Sequence, residues 1–535
     1  MRKVIAAVIA AVFLLTACSA QSENIVQEQN VDSSEQQSQY VKSSNILTLS
    51  MRTASTLNPL ANTDESVDRI LRLMFKPLIA LDSNLKPQPC IAESWFYTDG
   101  GTVLTINIKS GLTWHDGNEI TARDVVYSID TIINSSEDTV YNKCGQNILR
   151  TRYIDRYTLE VVFNQPYSGN IYSMCFPVVS ENNFSSEQNE VSPVGSGPYR
   201  FVEFVPAQEL ILEAAANSFG ATPSISRIEV KMTTDSDTDI YSFSQQITDC
   251  VIVDETDMGR YDFNSSTKKY SYTDNYYEFI GFNFNNADLQ DKNIRKAIAS
   301  AVPIDNIIES VYLSNAVKTS SPVNPSSYLY NNNVPLIRYD LEEARSYLTA
   351  AGYTYDNVNN VSYKTDENGT HELSFRILVN SESKERYQIA SKLSDELKTI
   401  GIGTTIESVD YSTYMSKLQS GDFDMFIGGW KLSIDPYFGF MFHSISNDGL
   451  NYGSYSNSDV DALIDAAYTS VNESDMISAY SNLEAKIADE LPYISLLFRK
   501  SALLVNGRIN GNFEPIPYDC FRNIETWTIG SSAEN

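Results

Sequence analysis

Leu104, Ile106 and Ile108 alternate with Thr105, Asn107 and Lys109, the two-residue period of a strand with one buried face. Other segments carry the longer period of a helix. Val67, Ile70, Leu71 and Met74 fall on one stripe and predict a helix over residues 66–75, behind a strand at 46–50. Val125, Val126, Ile129 and Ile132 repeat the pattern in TARDVVYSIDTI, where Thr121 and Asp124 make a capping-box start after the WHDG turn of residues 114–117. Beyond about residue 370 whole elements alternate. Residues 373–379 predict a strand, and Ile389, Leu393, Leu397 and Ile400 mark one face of a helix that Gly401 stops. Residues 404–409 predict the next strand, 411–418 a helix and 423–427 a third strand. This βαβαβ series predicts an α/β lobe with largely parallel pairing. Further helices are expected at 294–302, at 341–351 behind the Asp340 and Glu343 cap, and at 459–467 behind Ser458.

With 535 residues, 42% of them hydrophobic and 20% charged, the chain exceeds the usual size of one domain and has apolar material for at least two lobes. Its start has a different character. Arg2 and Lys3 precede an apolar run over residues 4–15 that is too short to span a membrane, so residues 1–17 read as a secretory signal. Leu15, Thr16, Ala17 and Cys18 resemble the bacterial lipobox, in which the cysteine is acylated and becomes the mature N-terminus, so Cys18 is the expected lipid attachment. Residues 18–45, rich in Ser, Gln, Glu and Asn, offer little to bury and are expected to be a disordered tether. The body is therefore expected on the outer face of the bacterial cytoplasmic membrane, at a Gram-positive cell surface or in a periplasm.

The formal charge of −29 argues against nucleic acid as a partner, since phosphates would be repelled. Cys90, Cys144, Cys175, Cys250 and Cys520 follow no zinc spacing, and their odd number leaves at least one unpaired in any disulfide scheme, whose pairing the sequence leaves open.

Seven segments then recur in a known order. Residues 87–95 (PQPCIAESW), 104–127 (LTINIKSGLTWHDGNEITARDVVY), 195–201 (GSGPYRF), 283–303 (NFNNADLQDKNIRKAIASAVP), 339–353 (YDLEEARSYLTAAGY), 421–430 (GDFDMFIGGW) and 451–463 (NYGSYSNSDVDAL) resemble the landmarks of family 5, the peptide and nickel class, of the bacterial extracellular solute-binding proteins. The resemblance runs from Leu57, Asn58 and Pro59 to the final strands. It implies a two-lobed periplasmic-binding-protein-like α/β clamp of the class II type with an additional inserted subdomain. The implied division is lobe I over residues 46–277, with the insert at about 86–191, lobe II over 278–497, and a return to lobe I over 498–535. Hinge crossings are expected near Tyr277 and Phe498. The implied function is capture of a short peptide in the interlobe cleft by a monomer, for delivery to the permease subunits of an ABC importer and their ATPases, without cofactor, metal or catalytic residues.

Candidate ligand contacts are Asn58, Tyr277, Gly428, Gly429, Trp430, Ser433, Asp435 and Phe498. Gly428, Gly429 and Trp430 follow the apolar residues 425–427, and ligands of open α/β sheets gather outside the carboxyl ends of strands. Glycine lets a backbone approach closely, and tryptophan supplies a wide apolar wall. Peptide-binding relatives commonly carry an aspartate three residues after this tryptophan, as anchor for the ligand's ammonium, whereas this chain has Ser433 there. Either Asp435 replaces that charge, or the ligand has no free amine; Asp435-Pro436 reads equally well as a turn initiator. His115, His371 and His443 show no helical pairing that would suit a metal, though nickel-binding relatives can use a histidine near the cleft, where His443 would fall. No GxSxG, HExxH or Walker loop supports a hydrolase or nucleotide enzyme. Two alternatives share the fold: a binding protein for a nickel chelate or oligosaccharide, and a receptor for a peptide signal.

Overall fold

The structure, a computed structural model, describes residues 45–135, 138–184, 192–216, 219–254, 263–367, 369–435, 437–445 and 448–530. Residues 1–44, and with them the expected signal, Cys18 and nearly all of the tether, lie outside the described residues, as do residue 191 at the end of the expected insert and Pro436.

Two antiparallel sheets occupy the first half of the chain. Strand Ile46–Arg52 pairs in parallel with Arg227–Thr233, which continues antiparallel through Glu209–Ala214 to Tyr199–Val205. The second sheet runs in the order Ala92–Thr98, Val103–Ile108, Thr158–Phe163, Ile148–Asp155. On it lies helix Ala122–Ile133, opened by the capping box: the Thr121 amide donates to Asp124 Oδ2 at 2.9 Å. The alternation at Leu104, Ile106 and Ile108 is matched by a strand whose three apolar side chains are buried.

The βαβαβ series forms as the periodicity predicts. Ser374–Asn380 pairs in parallel with Gly403–Val409 along its whole length and with the start of Met425–Lys431, and the connecting helices are Lys384–Thr399 and Tyr411–Ser420. Gly401 (φ +78°) and Gly421 (φ +70°) end these helices in the left-handed conformation that a side chain would strain. Two details differ from the sequence reading. The helix expected behind Ser458 starts at that residue, because Asn457 is the cap, its Oδ1 accepting from the Asp459 amide at 3.0 Å. Gly428, Gly429 and Trp430, expected just past a strand, lie inside one: Met425–Lys431 continues because each pairs with a long neighbouring strand.

That neighbour, Lys268–Phe282, is the spine of the molecule. It is flanked by Tyr493–Val505 on one side and by Met425–Lys431 on the other, which fuses the parallel series into a seven-stranded mixed sheet. One hydrophobic core is drawn wholly from residues 280–497, while a larger one joins the two antiparallel sheets to the aromatic face of the spine. The result is a two-lobed α/β clamp. No helix among the described residues is long and apolar enough to cross a membrane.

Candidate functional site at the interlobe cleft

Tyr277 is the point at which three strands meet in register, opposite Phe498 on one side and Trp430 on the other. Four predicted site residues therefore converge, since Gly429 follows opposite Glu278. Tyr277 and Phe498 are fully buried, their rings 5.4 Å apart, and the Tyr277 hydroxyl shares a 2.7 Å hydrogen bond with Ser495. Both are packing residues, and Phe498 also lines the small cavity at Asp435. Trp430 is only partly buried, stands edge-on to Phe440 at 5.2 Å and parallel to Tyr452 at 6.3 Å, and its buried indole Nε1 has no hydrogen-bond partner among the described residues.

The two glycines serve the protein's own side chains. A Cβ on Gly428 would press on the Phe279 and Phe426 rings, and one on Gly429 would collide with the Arg386 guanidinium and the Glu278 carboxylate. The close approach expected for a ligand is thus taken up by a buried ion cluster. Glu278, fully inaccessible, accepts from Arg386 Nε at 3.0 Å and from Arg499 Nε at 3.0 Å. Two guanidiniums on one carboxylate are what a charge at such depth requires. On the other side of the Met425–Lys431 strand, pairing with Ser374–Asn380 ends at Leu378 opposite Phe426, so beyond Phe426 that edge has no strand partner among the described residues.

After Lys431 the chain drops into the cleft. Ser433 is exposed, and its hydroxyl donates to the Asp435 carbonyl at 3.4 Å. Asp435 is partly buried among tyrosines. Tyr167, from the far side of the cleft, donates its hydroxyl to Asp435 Oδ2, and Tyr468, Tyr480 and Tyr518 lie within electrostatic reach. The Tyr167 ring stacks on Tyr468 at 4.4 Å and meets Tyr437 edge-on at 6.0 Å. No cation forms an ion pair with Asp435 among the described residues. Burial pushes its carboxyl up to about 6, against the opposing pull of its own backbone amide and of Lys143.

Ser433, Asp435 and Phe498 line one small cavity together with Asn275, Asn324 and Leu85; at about 20 Å³ it would hold little more than a water molecule. The cleft is shut by contacts across it. Lys431 pairs with Glu65 at 2.6 Å, Lys86 with Glu473 at 2.7 Å, Gln165 Nε2 donates to the Tyr468 hydroxyl at 2.7 Å, and the Tyr328 amide donates to the Asn84 carbonyl at 2.9 Å. One wall, residues 319–331, is pinned at both ends by Glu484, whose carboxyl accepts from the Ser321 hydroxyl at 2.6 Å and the Asn331 amide at 3.1 Å. Burial pushes that carboxyl up to about 8.

Of the remaining expectations, Asn58 is occupied by a local turn, its Oδ1 accepting from the Leu60 amide at 3.0 Å, and shares no described contact with the other site residues. His443 accepts from the Ile445 amide at 3.0 Å and lies 3.5 Å from Asp465, and no group of metal-binding side chains gathers among the described residues. His115 Nε2 donates to the Gly197 carbonyl at 2.9 Å, a structural contact. Cys90, Cys144, Cys175 and Cys520 form no disulfide among the described residues. Sequence reasoning missed Tyr167, Asn275, Asn324, Tyr437 and Glu484. They lie far from Asp435 in the chain or in segments without periodicity, and no local signal marks them.

A two-lobed α/β clamp holding an aromatic wall and, in a sheltered cleft, a carboxylate without a cationic partner among the described residues is the arrangement of a solute-binding protein, and the comparisons with known proteins place it. Residues 86–451 match the family described as bacterial extracellular solute-binding proteins, family 5 (middle region). The chain belongs to this family, whose members are extracytoplasmic binding proteins rather than enzymes. It is 27% identical over 494 residues to the oligopeptide-binding protein AppA of Bacillus subtilis, covering 88% of this chain and 89% of that protein. The solved structure of that AppA in complex with a nonapeptide superposes with a TM-score of 0.59 at 25% identity, over 91% of this chain and 99% of the other. A nickel ABC transporter structure from Bacillus halodurans gives 0.76 at 18% identity, over 91% and 99%, and shows the shared fold.

Proposed function

We propose that this protein is the lipid-anchored, monomeric substrate-binding component of an ABC importer and takes up short peptides, holding the ligand's free ammonium on Asp435. The observation that carries this reading is a carboxylate without a cationic partner among the described residues, inside the cleft and within a few residues of Trp430. A buried carboxylate favours a cation, and a peptide's α-ammonium supplies one. The unpaired strand edge beyond Phe426 would receive an extended peptide main chain, giving affinity without demanding a side-chain sequence. The similarity to an oligopeptide-binding protein over most of both chains supports the same ligand class. Permease and ATPase partners follow from the family, and anchoring follows from the lipobox-like Leu15 to Cys18, since two acyl chains hold a protein at a membrane where one scarcely does.

Calorimetry with a free-amine tripeptide and its N-acetylated form, on wild type and Asp435→Asn, tests the anchor. Removing one side of a buried pair costs about 3 to 5 kcal/mol, so the mutant should bind the free amine at least about a hundredfold more weakly and the acetylated form almost as the wild type does. Equal affinity of the wild type for both peptides would overturn the ammonium anchor and favour a non-peptide solute. For the lipid anchor, Cys18→Ser should release the protein from membranes into the medium; continued fractionation as a labelled lipoprotein would refute it.

A further inference from the structure

The small cavity at Asp435 is not the only space against the spine. A groove of about 430 Å³ runs along residues 269–273 of the Lys268–Phe282 strand, bounded opposite by residues 513–517. It adjoins the inner cavity directly. Leu85 lines both, and Ser326, at the groove, is the neighbour of Ser327, at the cavity.

What lines this groove is a strand edge. The spine pairs with Tyr493–Val505 from Lys268 onward, but its pairing with Met425–Lys431 begins only at Tyr276. On that side, residues 270–273 have no strand partner among the described residues. Asp274 and Asn275 are already used: Asn324 Nδ2 donates to the Asp274 carbonyl at 3.2 Å, and the Leu432 amide donates to the Asn275 carbonyl at 2.9 Å. The facing wall does not close the gap by pairing, since Pro515 and Pro517 carry no amide hydrogen. An exposed edge with alternating side chains beside it is the arrangement to which an extended peptide adds as a strand. Its side chains suit that use, with Ser271 exposed and Tyr270 fixed by stacking on Phe513 at 4.5 Å.

We infer that this groove is a second ligand subsite, holding the part of a long peptide that extends past the enclosed cavity, between Leu85 and Ser326, and lies along the free edge of the spine. The inference rests on the peptide reading above and sharpens it: the part of a peptide beyond the stretch held at Asp435 and residues 425–431 is bound through main chain along residues 270–273. At about 3.4 Å per residue, residues 270–273 extend about 14 Å and accommodate about four ligand residues.

Hydrogen exchange on the full chain separates the two claims. A tripeptide should slow exchange around the 425–431 strand and leave residues 270–273 as they are; a nonapeptide should slow both, the latter at least fivefold. Ser271→Trp, an exposed substitution that fills the groove, should weaken nonapeptide binding at least fivefold and spare the tripeptide. A nonapeptide that protects 425–431 but not 270–273 overturns the groove while leaving the peptide reading intact. Absence of protection and of heat with either peptide overturns the peptide reading, and the groove falls with it.

Discussion

Asp435 shows how one residue's surroundings set the conditions under which the protein works. Its carboxyl, pushed up to about 6 by burial, is protonated in a growing fraction of molecules as the pH falls below that value. A ligand ammonium requires the ionised form and, once bound, keeps it ionised to lower pH. Binding of a cationic ligand therefore expels a proton below about pH 6, and affinity falls there, approaching tenfold per pH unit, while above about pH 7 it declines again, more gently, as the peptide's own α-ammonium loses its proton near about 7.7 to 8.0. Calorimetry of the free-amine tripeptide from pH 4.5 to 7, below the titration of its own α-ammonium, should show the acid-side fall, and Asp435→Asn should be weak and flat over the same range. A wild-type affinity that held constant down to pH 4.5 would mean that the Asp435 charge takes no part in binding. Glu484, also buried without a cation among the described residues, makes a different use of depth. Its two acceptors hold the ends of a cleft-wall segment, so its place is architectural.

At the scale of elements, legibility followed period. Helix Ala122–Ile133 and strand Val103–Ile108 could be read because their burial is one-sided and repeats, and Ser374–Asn380 because it is a short apolar run. The spine could not. Burial alternates only over residues 268–271 and is continuous over 277–282, so no single period marks the fifteen-residue strand, and its partners lie about 150 and 220 residues downstream. The same limit governed the site. Tyr277, Trp430 and Phe498 were nameable one by one, yet only strand register brings them to one level. Gly428 and Gly429 were read as room for a ligand, a local inference; the room belongs to Phe279, Phe426, Arg386 and Glu278, which no neighbouring residue announces. Asp435 was legible as a departure from a family pattern, but Tyr167, which meets it from 268 residues away, was not.

For the whole molecule, the closed cleft sets a constraint. A cavity of about 20 Å³ holds no peptide, whereas sites that enclose small ligands run to roughly 300 to 1,000 Å³. The lobes must part for a ligand to enter, breaking Lys431–Glu65, Lys86–Glu473 and Gln165–Tyr468 and exposing Asp435. The two ion pairs lie at the surface and contribute at most about 1 kcal/mol each, whereas opening also separates the buried Ser168 and Tyr480 hydroxyls and lifts the Tyr167 ring from Tyr437 and Tyr468. Closure on a ligand then restores them around it. The change belongs to hinge motion, with the strands that cross at Tyr277 and Phe498 as the proposed pivots. Small-angle scattering of the purified protein, with and without saturating free-amine peptide, tests this most directly: the account predicts a smaller radius of gyration with peptide, and superimposable profiles at a concentration where calorimetry shows full occupancy would contradict a clamp that closes on its ligand.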